Sequence, residues 1–390
     1  KDFNQKLLVD HTMSRSDNEI RGIYTDTKGR LWLASKAGKL YVYAHDKKVP
    51  VVFNNVPNGG LGVIYNIIED RYGNMWMGTK GYGLYKAVPA DKERLTYNVT
   101  HYLADKKDIY SLSSNVIYAL LEDKKGRIWV GTFEEGFNLI EQKGDKTLFL
   151  NNKNSFKNYP KETFNRVRNL QEDVRGNIWV ATTEGLLVLD PNKGSPANYR
   201  FATFSKISGD KTSLGKNDIQ YIYRDSKNTM WLSTSGGGLN KAITTDPFKS
   251  LKFRVYTTDD GLPSDYLLSS VEDKRGNLWL ATENGLSKFI PNQEKFINYD
   301  SYDGLPPTGF SESSSLRQPD GDLVFGCITG YISFNPDEIA YHKISANMAL
   351  TNLQVNNKDV VLGGPHSPLK TNLNDSQQIV LKYNENILGI

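Results

Sequence analysis

The sequence predicts an all-β fold, a seven-bladed β-propeller followed by the beginning of a small β-sandwich. Three observations carry this. All six tryptophans, Trp32, Trp76, Trp129, Trp179, Trp231 and Trp279, sit in one phrase that returns every 44 to 53 residues, each with an Asp six residues before it. Around each phrase lie two β-rich runs joined by a short turn that bears Gly, the pattern of a hairpin. From about Ser345 the phrase stops, and unrelated short strand-like runs take over. Self-similarity at a period of roughly 40 to 50 residues marks propellers and solenoids.

The shared form of the phrase is Asp-x-x-Gly-x-apolar-Trp-apolar-small-Ser/Thr, as in DKKGRIWVGT around Trp129. Its Asp, at Asp26, Asp70, Asp123, Asp173, Asp225 and Asp273, can bond its own backbone to close a turn, while the Gly supplies a left-handed conformation. In the fifth copy Asn228 replaces that Gly, and Asn is the next residue most tolerant of the conformation. A seventh, degenerate copy, DGDLVFGCITG, puts Val324 in the Trp position. Residues that recur identically in every unit read as core and turn formers, so the tryptophans are plugs between four-stranded blades and the aspartates are not catalytic pairs.

In chain order, residues 1–13 hold one strand-like run, Lys6 to Asp10, expected to add a closing strand to the seventh blade and so remove an open edge. Blade cores fall at about residues 18–43, 62–87, 114–141, 164–190, 216–242, 265–290 and 309–335. The propeller is expected to span 1–344 and the sandwich-like segment 345–390, with turns at Asn356-Asn357 and Asn374-Asp375. With no Met or leader at Lys1 and a final strand-like run at Ile390, the chain reads as a piece of a longer protein.

Composition excludes several classes. A net charge of +4 spread along 390 residues does not suit nucleic-acid binding. No run of 18 apolar residues is present, so no membrane contact by this segment is expected. One cysteine, Cys327, excludes an internal disulfide and reads as a buried small hydrophobe. The five histidines, His11, His45, His101, His342 and His366, lack metal-ligand spacing, so neither metal nor cofactor is expected. Nucleophile elbows, phosphate loops and calcium loops are absent.

The unit at Leu112 to Phe137, LSSNVIYALLEDKKGRIWVGTFEEGF, resembles the two-component regulator propeller, and the tail from about Ala346 resembles the start of a triple-tyrosine domain. Together they are similar to the periplasmic sensor region of Bacteroidetes hybrid two-component systems. The resemblance implies a non-enzymatic sensor outside the inner membrane, dimeric, binding an oligosaccharide from a dietary or host glycan. Its membrane-anchored parent would be a histidine kinase that switches on glycan-utilisation genes. Two alternatives are a propeller hydrolase or lyase acting on polysaccharide, and a scaffold that binds only protein.

Propeller topology places the loop after each Trp strand and the residues opening each inner strand on one face, opposite the Asp-x-x-Gly turns. Ligand-binding candidates are therefore residues that differ between blades there: Tyr82, Tyr118, Phe133, Glu134, Arg166, Arg168, Tyr221 and Tyr266. Aromatic rings suit sugar faces, and Arg and Glu suit hydroxyls or acidic groups. Arg166 and Arg168 stand two apart and are expected on the same side of a strand. Both reaching the channel mouth would favour an acidic sugar.

Overall fold

The computed structural model describes residues 3–9, 15–57, 59–160, 162–339 and 350–389. Two compact units result, 1–340 and 341–390. The boundary expected between 344 and 345 lies outside the described residues, as do Asp10, His11 and His342.

Among the described residues the first unit holds seven sheets, antiparallel apart from one added strand in the second, each built around a second strand that carries the Trp phrase or, in the seventh, its degenerate copy. These second strands, among them Leu31–Ser35, Ile128–Thr132 and Leu323–Cys327, are buried at every position. Burial on both faces explains why they read as continuous apolar runs rather than alternating ones. The inner strands pack side by side in a closed ring, with Ile20–Thr25 between Ile64–Glu69 and Phe310–Arg317.

The Asp of each phrase does two jobs. In the first blade Asp26 Oδ1 accepts the backbone N–H groups of Lys28 and Arg30 at 3.0 and 2.8 Å, which closes the turn. Its Oδ2 accepts from Trp32 Nε1 at 2.8 Å. The same indole bond, 2.8 to 3.0 Å long, recurs from Trp76, Trp129, Trp179, Trp231 and Trp279. A buried indole N–H needs an acceptor, so the six-residue spacing of Asp and Trp is that of one hydrogen bond. The seventh blade has Gln318 and Val324 at these positions and dispenses with both partners together. Asn228 takes φ 65°, the conformation expected of it.

Glutamates preceding four of the aspartates link neighbouring blades. Glu69, Glu122, Glu172 and Glu272 accept the N–H of Thr27, Arg71, Lys124 and Ser226 in the turn of the blade before, at 2.6 to 3.0 Å. The first two blades are joined further, because Val52–Asn54 pairs in parallel with Thr96–Tyr102 as a fifth strand of the second blade. Phe53 there stacks on Tyr97, 5.7 Å away.

The ring is closed by the amino-terminal segment. Asn4–Lys6 pairs antiparallel with Gly330–Phe334 of the seventh blade. Gly330 has φ 88°, and a Cβ there would stand 2.0 Å from the Lys6 carbonyl oxygen, so only glycine admits the approach. The strand begins earlier than the expected Lys6 to Asp10 run. Phe3 is drawn under the blade against Phe334 and Tyr299, at 4.9 and 5.6 Å. Asn18 Oδ1 then accepts the N–H groups of Leu8 and Val9, and these bonds carry the chain out of the sheet after Lys6.

In the second unit, Gln354–Val355 pairs with Lys358–Asp359 and with Leu388–Gly389. Asn356 and Asn357 form the connecting turn with φ 50° and 60°, the left-handed pair of a type I′ hairpin. Leu373–Asp375 forms a 3-10 turn capped by the Asn372 side chain.

Candidate functional site

In every blade the residue after the Trp strand donates its N–H to a carbonyl just before the inner strand, as Phe133 does to Val116 and Ser235 to Asp218. These bonds hold both variable positions at one end of the ring. Just past that point each inner strand carries a bulge. The ladder skips from Ile20 to Gly22, Ile64 to Asn66, Ile117 to Ala119, Val167 to Asn169, Ile219 to Tyr221 and Leu267 to Ser269. An unpaired bulge residue re-aims its side chain, and Arg21, Tyr65, Tyr118, Arg168 and Gln220 line one cavity on the ring axis. In the seventh blade the skip lengthens, from Phe310 to Ser315, and brings in Glu312 and Ser313.

The axial cluster is engaged mostly within itself, Arg21 Nε being buried without a hydrogen-bond partner. Tyr118 stacks on Phe133 at 4.5 Å and packs against Tyr65 at 4.7 Å with the rings tilted by 44°, while the Arg168 guanidinium lies 5.3 Å over Phe133. Arg168 also pairs with Asp218 at 2.8 Å and approaches Glu312 at 3.9 Å. Arg21 lies over Tyr65 and bonds Glu19, which also receives Lys36 at 3.1 Å. Gln220 Nε2 donates to Ser235 Oγ at 2.7 Å and to the Tyr266 hydroxyl at 3.4 Å. Burial, then the neighbouring Tyr65 and Glu312, push the Tyr118 hydroxyl up to about 12, so it stays neutral. The space left on the axis is about 20 Å³, room for a single water. A sugar does not fit within the cavity these residues line.

Of the eight candidates, the structure brings together Tyr118, Phe133, Arg168 and, through Gln220, Tyr266. The other four stand elsewhere. Tyr82 is 54% exposed, its ring lying against Gly62 and its carbonyl 2.7 Å from His101 Nε2. Glu134 accepts from Ser114 Oγ at 2.7 Å, off the axis. Tyr221 pairs with Ser233 in the ladder, and the axial position of its blade belongs to Gln220. Arg166 is exposed ahead of a strand that begins at Val167, and the bulge at Arg168 breaks the alternation that would have paired the two arginines. With Arg168 already engaged by two carboxylates, the argument for an acidic sugar loses its footing. Asn115, Asn217 and Asp265 tie the blade connections by accepting from Ala104, Lys206 and Thr258 at 2.6 to 2.8 Å.

Gln220, Glu312 and Ser313 escape sequence reasoning. Gln220 follows the first apolar residue of its inner strand, as Arg21, Tyr65, Tyr118 and Arg168 do, so a bulge assumed in every unit would have found it. The degenerate seventh blade offers no such signal for the other two. Among the described residues no group of three or more His, Cys, Asp or Glu is placed to hold a metal ion, and no helix is long and apolar enough to cross a membrane.

The two component regulator propeller family model matches residues 14–37, 59–81, 111–134, 213–236 and 261–284. These five segments match two-component regulator propeller repeats. The chain is 24% identical over 360 residues to histidine kinase P4 of Formosa agariphila, a match covering 91% of this chain and 22% of that protein. It resembles the extracellular domain of a putative hybrid two component system from B. thetaiotaomicron, with TM-score 0.67 and 23% identity over 93% of this chain and 46% of that one. It also resembles virginiamycin B lyase from Staphylococcus aureus, with TM-score 0.57 and 13% identity over 85% and 98%. The chain thus spans less than a quarter of the curated relative and about half of the first solved one. Both structural likenesses concern the fold, which serves as an extracellular domain in one case and a lyase in the other.

Proposed function

We propose that this chain is the ligand-sensing propeller of a hybrid two-component system and that it reads an oligosaccharide. The observation that carries this is the run of regulator repeats along a chain related over 91% of its length to a histidine kinase. The division of labour within the repeat supports it. The Asp, Trp and Glu positions are spent on bonds within and between blades, whereas residues at the opposite end differ from blade to blade. A binding face built on rigid blades is what a sensor needs. Tyr118, held neutral and packed between Phe133 and Tyr65, is suited to positioning rather than to moving protons, which speaks against the hydrolase or lyase alternative. The segment lies outside the inner membrane and works as a homodimer, the second unit opening the triple-tyrosine domain that passes the signal on. Ligand must then bind two arrangements of that dimer unequally.

The test is calorimetric titration with defined neutral and acidic oligosaccharides, with product analysis of each mixture and sedimentation with and without ligand. Saturable binding with the sugar recovered intact supports a sensor. Shortened or unsaturated products would make the propeller an enzyme.

A further inference from the structure

A large cavity lies off the axis, over the third blade. It measures about 750 Å³, within the range of small-ligand sites. One wall is the connection 104–115. It is held as a compact loop by Ser111 Oγ, which accepts from Asp105 N at 2.9 Å, and is tied to the outer strand by the bond from Phe149 N to the Tyr110 carbonyl at 2.9 Å. The facing wall is the loop after Trp129, with Glu134 bonded to Ser114 and Glu135 paired with Lys153 at 3.2 Å. The buried Asn138 and Asn151 lie beneath, linked at 3.0 Å, with Asn138 Oδ1 accepting from Ser113 N at 3.1 Å. Both walls are therefore preformed.

The fifth blade is an internal control. There the same connection is tied by the same bonds, from Phe253 N to the Thr212 carbonyl and from Gly215 N to Asn240 Oδ1. Gly215 and Gly237 replace Ser113 and Glu135. A Cβ on Gly215 would stand 2.2 Å from the Gly237 oxygen, so in that blade the two walls meet backbone to backbone. Side chains in place of the two glycines keep the third blade's cleft open.

The lining chooses the ligand chemistry. Four carboxylates, Asp105, Asp108, Glu134 and Glu135, face two lysines, Lys106 and Lys153, and Lys153 is already paired. A polyanion would enter against net negative charge. Asp105 and Asp108 each use one oxygen on a backbone N–H of their own loop, which leaves the second oxygen to accept from hydroxyls. Ile109, 58% exposed, supplies an apolar edge. We propose that this cleft is an off-axis subsite for a neutral oligosaccharide. The inference rests on the oligosaccharide reading above and deepens it.

The test is calorimetric titration of the chain, its Lys106→Trp variant, which fills the cleft from an exposed position, and its Glu134→Gln variant. The probes are cello-, manno-, xylo- and chitotetraose, and oligogalacturonate. At least one neutral tetrasaccharide is expected to bind the parent chain, with affinity lower by tenfold or more in Lys106→Trp and threefold or more in Glu134→Gln, at unchanged melting temperature. If Lys106→Trp fails to fold, Glu134→Gln decides alone. Equal affinity for parent and variants overturns the cleft but leaves oligosaccharide sensing standing. Saturable binding of oligogalacturonate alone overturns the neutral class in the same way. Silence from the whole panel removes both readings.

Discussion

Replacing Asp173 by Ala removes the acceptor of four hydrogen bonds at once. Its carboxylate receives Trp179 Nε1 at 2.9 Å, Asn177 Nδ2 at 2.8 Å, and the backbone N–H groups of Arg175 and Asn177, both at 2.9 Å. Trp179 is fully buried and Asn177 nearly so, so water cannot replace the lost acceptor at either side chain. An orphaned buried donor costs about 1–3 kcal/mol. Two such donors plus the loosened turn bring the expected loss to about 4 kcal/mol, a large share of the roughly 5–15 kcal/mol that holds a typical domain. Urea denaturation followed by tryptophan fluorescence and far-ultraviolet dichroism measures it. In a Trp179→Phe background the indole donor is gone, and the cost of Asp173→Ala is expected to shrink by about 1–2 kcal/mol. A loss below about 1.5 kcal/mol, or strict additivity in the cycle, would refute the reading of Asp and Trp as one paired unit.

Phe3→Ala empties a pocket between Tyr299 and Phe334 and is expected to cost about 3 kcal/mol; a melting temperature equal to the parent's would show that the closing strand is not seated as described. For Tyr118 the folded value of about 12 lies above the ordinary 10.0, so its contribution is full below pH 10 and is lost as pH rises from about 10 to 12. Discounted for its partial exposure, that contribution is about 1 kcal/mol. Tyr118→Phe should remove one late-ionising tyrosine from the absorbance titration, ahead of Tyr159, Tyr221, Tyr256 and Tyr331, whose hydroxyls burial pushes up further, and an unchanged titration curve would contradict its buried placement against Phe133. Burial pushes the Cys327 thiol up to about 12, so thiol reagents should label it only after denaturant is added; rapid labelling of the native protein would argue against its place in the closing blade.

Much of the fold was legible because the repeat exposes its own logic. The spacing of Asp123 and Trp129 recurs in five other units, and recurrence separates turn and core residues from variable ones without any structure. Asn228 and the Asn356-Asn357 hairpin were readable too, since each rests on a local backbone preference. The arrangement of the candidates was legible only in part. Tyr118, Phe133 and Arg168 come together as their place in the unit suggests. Arg166 and Arg168 were expected on one side of a strand, and the bulge at Arg168 separates them.

By itself the sequence determined what local geometry and periodicity can settle: strand, turn, blade number and the inward tryptophans. Only the tertiary structure decided that the channel is filled, that Arg168 is already neutralised by Asp218 and Glu312, and that Glu134 faces a separate cleft. The reason is physical. A turn or a hydrogen bond six residues long is encoded within its own segment, whereas the space on a ring axis is what remains after side chains from six blades have packed against one another.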